Sequence, residues 1–178
     1  LAWMINNHGS VLKYFKQTKV INLSKYNWYP IGTSNKPFKG VYDGQGFAID
    51  NINIPNITNA ENEKIQSDIG LFGYTSGGEI TGIYIKNATI YGKDNVGLIV
   101  SNATSTKINS NIIESSTINA SGNYGAVAGK ISGGEIKYNL VYITTNGGTS
   151  TSGEKSTNGL YTDTDTGSTT LSTNLVEN

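Results

Sequence analysis

Hydrophobic residues fall along this chain in short bursts, such as Ile83/Ile85, Ile112/Ile113 and Leu140/Val141, with Gly, Asn, Ser and Thr between them. They do not follow a helical period. Strands of three to five residues, rich in β-branched side chains and closed by turn formers, fit the pattern.

The bursts also recur. Ile69-Gly70-Leu71-Phe72-Gly73 is followed 27 residues later, glycine to glycine, by Val96-Gly97-Leu98-Ile99-Val100, and after 28 more by Tyr124-Gly125-Ala126-Val127-Ala128-Gly129. Gly159-Leu160-Tyr161 is a fourth marker. Ile80, Ile108 and Ile136 repeat at 28 and 28 residues. Upstream, Ile49-Asp50-Asn51-Ile52-Asn53-Ile54 aligns with Ile80-Thr81-Gly82-Ile83-Tyr84-Ile85; downstream, Asn174-Leu175-Val176 aligns with Asn139-Leu140-Val141. A sandwich has no reason to align its strands in sequence, whereas a solenoid stacks like upon like. The spacing therefore predicts an all-β chain, a single-stranded right-handed parallel β-helix of about five coils anchored at Ile49, Ile80, Ile108, Ile136 and Leu171.

Stacking at about 4.8 Å per coil turns aligned positions into ladders. Ile80/Ile108/Ile136, Ile85/Ile113/Val141 and Ile90/Ile118 are expected inside, each side chain contributing roughly 1.5–3 kcal/mol on burial. Asn111, Asn139 and Asn174 are expected to bond amide to amide along the axis. Gly77-Gly78 and Gly133-Gly134 mark a turn needing positive φ. Outside, Glu79/Lys107/Glu135 and Lys86/Glu114 alternate in sign, which favours the correct register.

One domain is expected over residues 1–178: cap and first coil at 1–48, regular coils at 49–143, a Thr/Gly/Ser-rich inserted loop at 144–158, and a last coil at 159–178. The first eight residues read as a short capping helix stopped at His8-Gly9, shielding core and strand edges. The C-terminal coil has no such cap, which reads as a fragment of a longer protein.

Composition narrows the function classes. Thirteen lysines balance thirteen acids and arginine is absent. A neutral surface argues against nucleic acid and against a polybasic membrane anchor. No apolar run is long enough for membrane insertion. With no cysteine, thiolate chemistry and disulfides are excluded, and one histidine cannot build a histidine metal cluster or triad.

Leu1-Ala2-Trp3-Met4-Ile5-Asn6-Asn7, Tyr14-Phe15-Lys16-Gln17-Thr18, Ile21-Asn22-Leu23-Ser24, Trp28-Tyr29-Pro30-Ile31-Gly32, Phe38-Lys39-Gly40-Val41-Tyr42-Asp43-Gly44-Gln45-Gly46 and Gly70-Leu71-Phe72-Gly73 follow one another in order. Together they resemble the GLUG-motif domains of large bacterial surface and secreted proteins, including adhesin-like proteins and immunoglobulin-A-cleaving metallopeptidases. The resemblance implies a β-helix in an extracellular bacterial setting. It carries no catalytic residues, because the motif is structural. The second and third repeats depart from it, reading Gly-Leu-Ile-Val and Gly-Ala-Val-Ala-Gly, and Val20-Ile21-Asn22-Leu23-Ser24 lacks the usual preceding acids.

Four features carry candidate chemistry. Glu79 and Glu135, two coils apart and so about 9.6 Å by strand spacing, near the separation of an inverting glycosidase; Lys107 between them favours a charge ladder. Asp43-Gly44-Gln45-Gly46 reads as a turn rather than a phosphate loop. Asp163 and Asp165 open a calcium-loop pattern that lacks its bidentate Glu. Tyr26, Tyr29 and Tyr42 offer faces for sugar stacking, while Trp28 packs under the cap. The expected function is a non-catalytic structural or adhesion module contacting glycan or host protein, with no cofactor. The alternatives are an accessory substrate-positioning domain of a surface peptidase and a polysaccharide-degrading β-helix enzyme.

Overall fold

The computed structural model describes residues 1–9, 13–58, 60–61, 66–146, 161–163, 169–172 and 175–177, with side chains through Ile143. The chain is all-β, its strands parallel and wound into a β-solenoid of about four turns with one short N-terminal helix. None of the helices among the described residues is long and apolar enough to cross a membrane.

Two sheets run the length of the stack. The first follows Tyr14–Lys16, Val41–Asp43, Glu79–Thr81, Val100–Asn109, Ala128–Lys137 and Tyr161–Asp163, joined by Phe72–Ser76 and Thr169–Ser172. The second follows Ile21–Asn22, Ala48–Asp50, Tyr84–Lys86, Ile112–Ala120, Leu140–Asn146 and Leu175–Glu177, joined by Asn53–Ile54 and Thr89–Gly92. Val96–Gly97 pairs with Tyr124–Gly125 on a third side.

The expected interior ladders are present. Ile80, Ile108 and Ile136 stand in register and fully buried. So do Ile85, Ile113 and Val141, and Ile90 over Ile118. The alignment of Ile49 with Ile80 is corrected. Tyr42 occupies the level below Ile80, and Ile49 lies in the second sheet below Ile85. Thirty-eight positions separate Tyr42 from Ile80, against 28 from Ile80 to Ile108, so a fixed-period count slides off register there. The same surplus of residues lets Ile49-x-x-Ile52-x-Ile54 mimic Ile80-x-x-Ile83-x-Ile85.

Polar ladders line part of the core. The Asn139 Oδ1 accepts from the Asn111 backbone N–H at 3.1 Å and from its Nδ2 at 2.9 Å, while the Asn139 Nδ2 donates to the Ile108 carbonyl at 3.0 Å. One coil down, the Asn111 Oδ1 accepts from the Ile83 N–H at 3.0 Å. Both amides are buried, so each bond satisfies a group that water cannot reach. Asn174, the expected third rung, lies outside the described residues.

Corners repeat as faithfully as strands. Gly77, Ser105 and Gly133 take φ of 64°, 48° and 66° at one level-to-level position. Asn51, Asn87 and Ser115 do the same at 60°, 53° and 50°; Asn tolerates this left-handed conformation better than most side chains. Gly97 is required for another reason: a Cβ there would stand 2.1 Å from the Val100 carbonyl oxygen and 2.5 Å from the Gly129 nitrogen. Coils approach too closely at that point for any side chain.

The expected cap is helix Ala2–His8, which ends at Gly9 with φ 81°. Ile5 is fully buried, and Asn6 ties the helix down, donating to the Pro30 carbonyl at 2.9 Å and accepting from the Gly32 N–H at 2.7 Å. At the other end, Thr144, Thr145 and Asn146 pair with Thr117, Ile118 and Asn119. The strand thus runs three residues into the segment expected as a loop, and residues 147–158 lie outside the described residues.

Candidate functional site

On the outer face of the first sheet, Val41, Glu79, Lys107 and Glu135 form one column, and Asp43, Thr81, Asn109 and Lys137 the next. The glutamates stand two levels apart with Lys107 in register between them, as expected. Glu135 nevertheless takes its ion-pair partner from the neighbouring column: its carboxylate meets the Lys137 Nζ and accepts from the Asn109 Nδ2 at 2.9 Å. The Lys137 contact, helped by Asn109, holds the Glu135 carboxyl below the usual carboxylate range. A carboxylate stabilised in its charged form is a poor proton donor, and a general acid needs the opposite shift.

The second sheet carries a matching column, Asp50, Lys86 and Glu114. The Lys86 Nζ lies 3.2 Å from the Glu114 carboxylate, and the Asn87 Nδ2 donates to Asp50 at 2.9 Å. Hydrogen bonds from Tyr84 and then Lys86 lower the Glu114 pKa, and Glu114 raises that of Lys86. These exposed columns mark register more than they bind the coils together.

Asp43-Gly44-Gln45-Gly46 is the turn expected. The Asp43 Oδ1 accepts from the Gln45 N–H at 2.9 Å, and the Gln45 side-chain amide and the Tyr14 hydroxyl reach its Oδ2. These bonds, Tyr14 first, hold the Asp43 carboxyl low. Gln45 and Gly46 carry the positive φ, 55° and 73°.

Of the aromatic candidates, Tyr26 and Tyr29 are 65% and 75% exposed, open to a ligand face. Tyr42 is corrected: it is 7% exposed, edge-on to Phe72 with centroids 5.6 Å apart, and its hydroxyl donates to the Gln17 Oε1 at 3.2 Å. Burial pushes its phenol up to about 12. A tyrosine is read as surface or core only through its neighbours, because ring and hydroxyl suit either. Trp28 packs under the cap as expected, donating from Nε1 to the Leu71 carbonyl at 3.1 Å. It lines an apolar cavity of about 350 Å³ with Ala2, Trp3, Leu23, Tyr42 and Ile49.

One polar cluster was not foreseen. The Asp68 carboxylate accepts from the Tyr74 hydroxyl at 2.7 Å, the Asn95 Nδ2 at 3.0 Å and the Asn102 Nδ2 at 2.7 Å. Burial, with Asp68, pushes the Tyr74 phenol up to about 12. Asp68 and Asn95 stand one residue before the matched pair Ile69 and Val96, both with positive φ, so the signal was an acid aligned with an amide. A recess of about 360 Å³ joins Asp68 and Tyr74 to Asn6, Thr33, Ser34 and the exposed Tyr29.

The expected calcium pair cannot be placed. Asp163 lies in a strand pairing with Ile131, but its side chain and all of Asp165 fall outside the described residues. Among the described residues, no group of three or more His, Cys, Asp or Glu could hold a metal ion. His8 ends the helix, its ring edge-on to Trp3 at 5.2 Å. Compared with family models, with curated proteins and with solved structures, the chain matches none.

Proposed function

We propose that this chain is a non-catalytic structural and adhesion module of a bacterial surface or secreted protein, presenting its outer faces to glycan or host protein. The observation that carries this reading is the continuity of the stack. Levels from Phe15 through Tyr42, Ile80, Ile108 and Ile136 to Leu171 follow one another in parallel register. Such a stack is an extended scaffold in which each coil leans only on its neighbours, and it offers long lateral surfaces. The resemblance to GLUG-motif domains supports the extracellular setting. Exposed Tyr26 and Tyr29 supply contact rings of the kind that glycan surfaces use.

The test is a glycan and host-matrix binding array run beside a polysaccharide-degradation assay on the purified chain. Binding without shortening of any polysaccharide is expected. Degradation that disappears in Glu79→Gln or Glu135→Gln would overturn the non-catalytic reading.

A further inference from the structure

A further recess lies on the outer face of the first sheet at its N-terminal end. It is an open groove of about 500 Å³. Its floor is made where Gly40 and Gly77-Gly78 leave the backbone bare; its walls are Lys13, Lys39, Lys107, Glu79 and the ring of Tyr14. Three lysines and one glutamate line it, on a molecule whose formal net charge is zero. Lysines outnumber carboxylates among its lining residues, although Glu135 flanks Lys107 in its column and Asp43 holds Tyr14.

Its backbone is already spoken for. The Val41 N–H donates to Lys13, that of Glu79 to Gly40, that of Lys107 to Gly78 and that of Gly77 to the Thr104 carbonyl. A peptide docking by strand addition needs a row of unpaired backbone groups, and these coils have spent theirs on one another. Recognition here must come from side chains: ammonium groups for an anion, and a ring for a flat apolar face. Tyr14 is 62% exposed, and its hydroxyl is anchored on Asp43, which fixes the ring against the groove. Lys13 and Lys107 also stand on different coils, so they meet charges spaced along the stack axis.

We propose that this groove binds an acidic saccharide, its anionic groups taken by Lys13 and Lys107 and one sugar ring laid on Tyr14. The inference rests on the adhesion reading and names a ligand class for it. An anion on a sugar is either a ring carboxylate or a sulfate ester, and the ammonium groups accept both.

The experiment is calorimetric titration of the chain with an oligogalacturonate, a heparin-derived oligosaccharide and a neutral cello-oligosaccharide of equal length. Either or both acidic probes bind, which distinguishes carboxylate from sulfate, and the neutral one does not. Affinity falls as salt rises. Lys107→Gln and Lys13→Gln each weaken binding about tenfold, the loss of one charge-assisted contact. Tyr14→Ala weakens it too, while Tyr14→Phe, which keeps the ring and loses the Asp43 bond, retains most of it. Equal binding of the neutral probe, or indifference to these exposed substitutions in variants with unchanged circular dichroism, overturns the proposal. So does a polyglutamate peptide that binds as well as the uronate regardless of Tyr14→Ala. Glycan-array binding that survives Lys13→Gln and Lys107→Gln would sink the groove and leave the adhesion reading standing. An acidic probe bound and then shortened would uphold the groove and overturn the non-catalytic reading.

Discussion

The coils from Phe72 to Ile143 and those from Lys13 to Ile54 share the same two sheets but are held together by different devices. In the regular coils one device recurs: aliphatic on aliphatic, asparagine on asparagine, at a 28-residue step that shifts to 27 only at an irregularity past Ile113. At the N-terminal end each device is used once. Phe15, Phe38 and Phe72 step across the core with centroids 5.8 and 5.0 Å apart, and a helix closes the end through Ile5 and Asn6. The buried Gln17 does alone what Asn111 and Asn139 do as a ladder, its Nε2 reaching the carbonyls of Lys19, Phe47 and Ala48 at 2.9, 3.3 and 3.1 Å. A repeat secures its interior by periodicity, but an end has a neighbour on one side only and needs particular residues.

The contrast is broken most severely at the close approach between coils. Gly97→Ala places a methyl against fixed backbone on two sides and should destabilise the chain by about 3 kcal/mol or more in urea unfolding, the upper end of overpacking costs. Gly46→Ala, with nothing within 4 Å but φ at 73°, should cost only about 1 kcal/mol.

Next is the amide pair. Asn139→Ala strands the Asn111 N–H and amide and the Ile108 carbonyl in the core, and should cost about 3 kcal/mol, with hydrogen exchange rising in coils on both sides. Gln17→Ala should cost about 1–2 kcal/mol, since its carbonyl partners lie nearer water though the Tyr42 hydroxyl also loses its acceptor, and exchange should rise only around Tyr14–Asn22 and Tyr42–Ala48. Equal and equally spread effects would erase the distinction between ladder and single device.

Alkaline titration gives a smaller effect, to which Tyr42 contributes from the N-terminal region. Tyr42 ionises at about 12 when folded and near 10.0 ordinarily, so its neutral form stabilises the fold fully below pH 10. That stability is lost as pH rises toward 12. Tyr42→Phe should flatten part of the decline in thermal midpoint over this range, leaving the share from Tyr74, which is raised likewise.

The smallest expected effect belongs to the outer columns. Glu114, held below its ordinary pKa by Tyr84 and Lys86, favours the fold above the usual carboxylate range and ceases to do so as pH falls through its lowered value. Glu114→Gln should leave the neutral-pH midpoint nearly unchanged and soften the acid limb, more visibly at low salt.

How much of this was readable from residues follows the same division. The Ile80, Ile85 and Ile90 ladders and the Asn111–Asn139 pair were legible because a strict period makes identity at one level evidence for the next. The column of Glu79, Lys107 and Glu135 was legible for the same reason, though not that Glu135 would take Lys137, since that depends on which side chain leans across a column. Ile49 was misplaced where the period breaks. Tyr42 reads as a surface ring in the sequence because a single occurrence has no neighbour to vote on its direction. Asp68 escapes a linear reading because its partners, one tyrosine and two asparagines, lie 6, 27 and 34 positions away. The lysine groove was invisible to a linear reading: Lys13, Lys39 and Lys107 meet only after the chain has wound around itself.

The register around Tyr42 is the part of the account on which cap, core and groove all depend. The chain has no cysteine, so introduced pairs report on it without background. Adjacent coils at about 4.8 Å fall within the Cα range of a disulfide. Under mild oxidation, Asp43→Cys with Thr81→Cys should close to a disulfide, because those two residues face each other on adjacent levels. Asp50→Cys with Thr81→Cys, the pair aligned when Ile49 is matched to Ile80, should remain two free thiols. Cross-linking of the second pair and not the first would contradict the stacking described above.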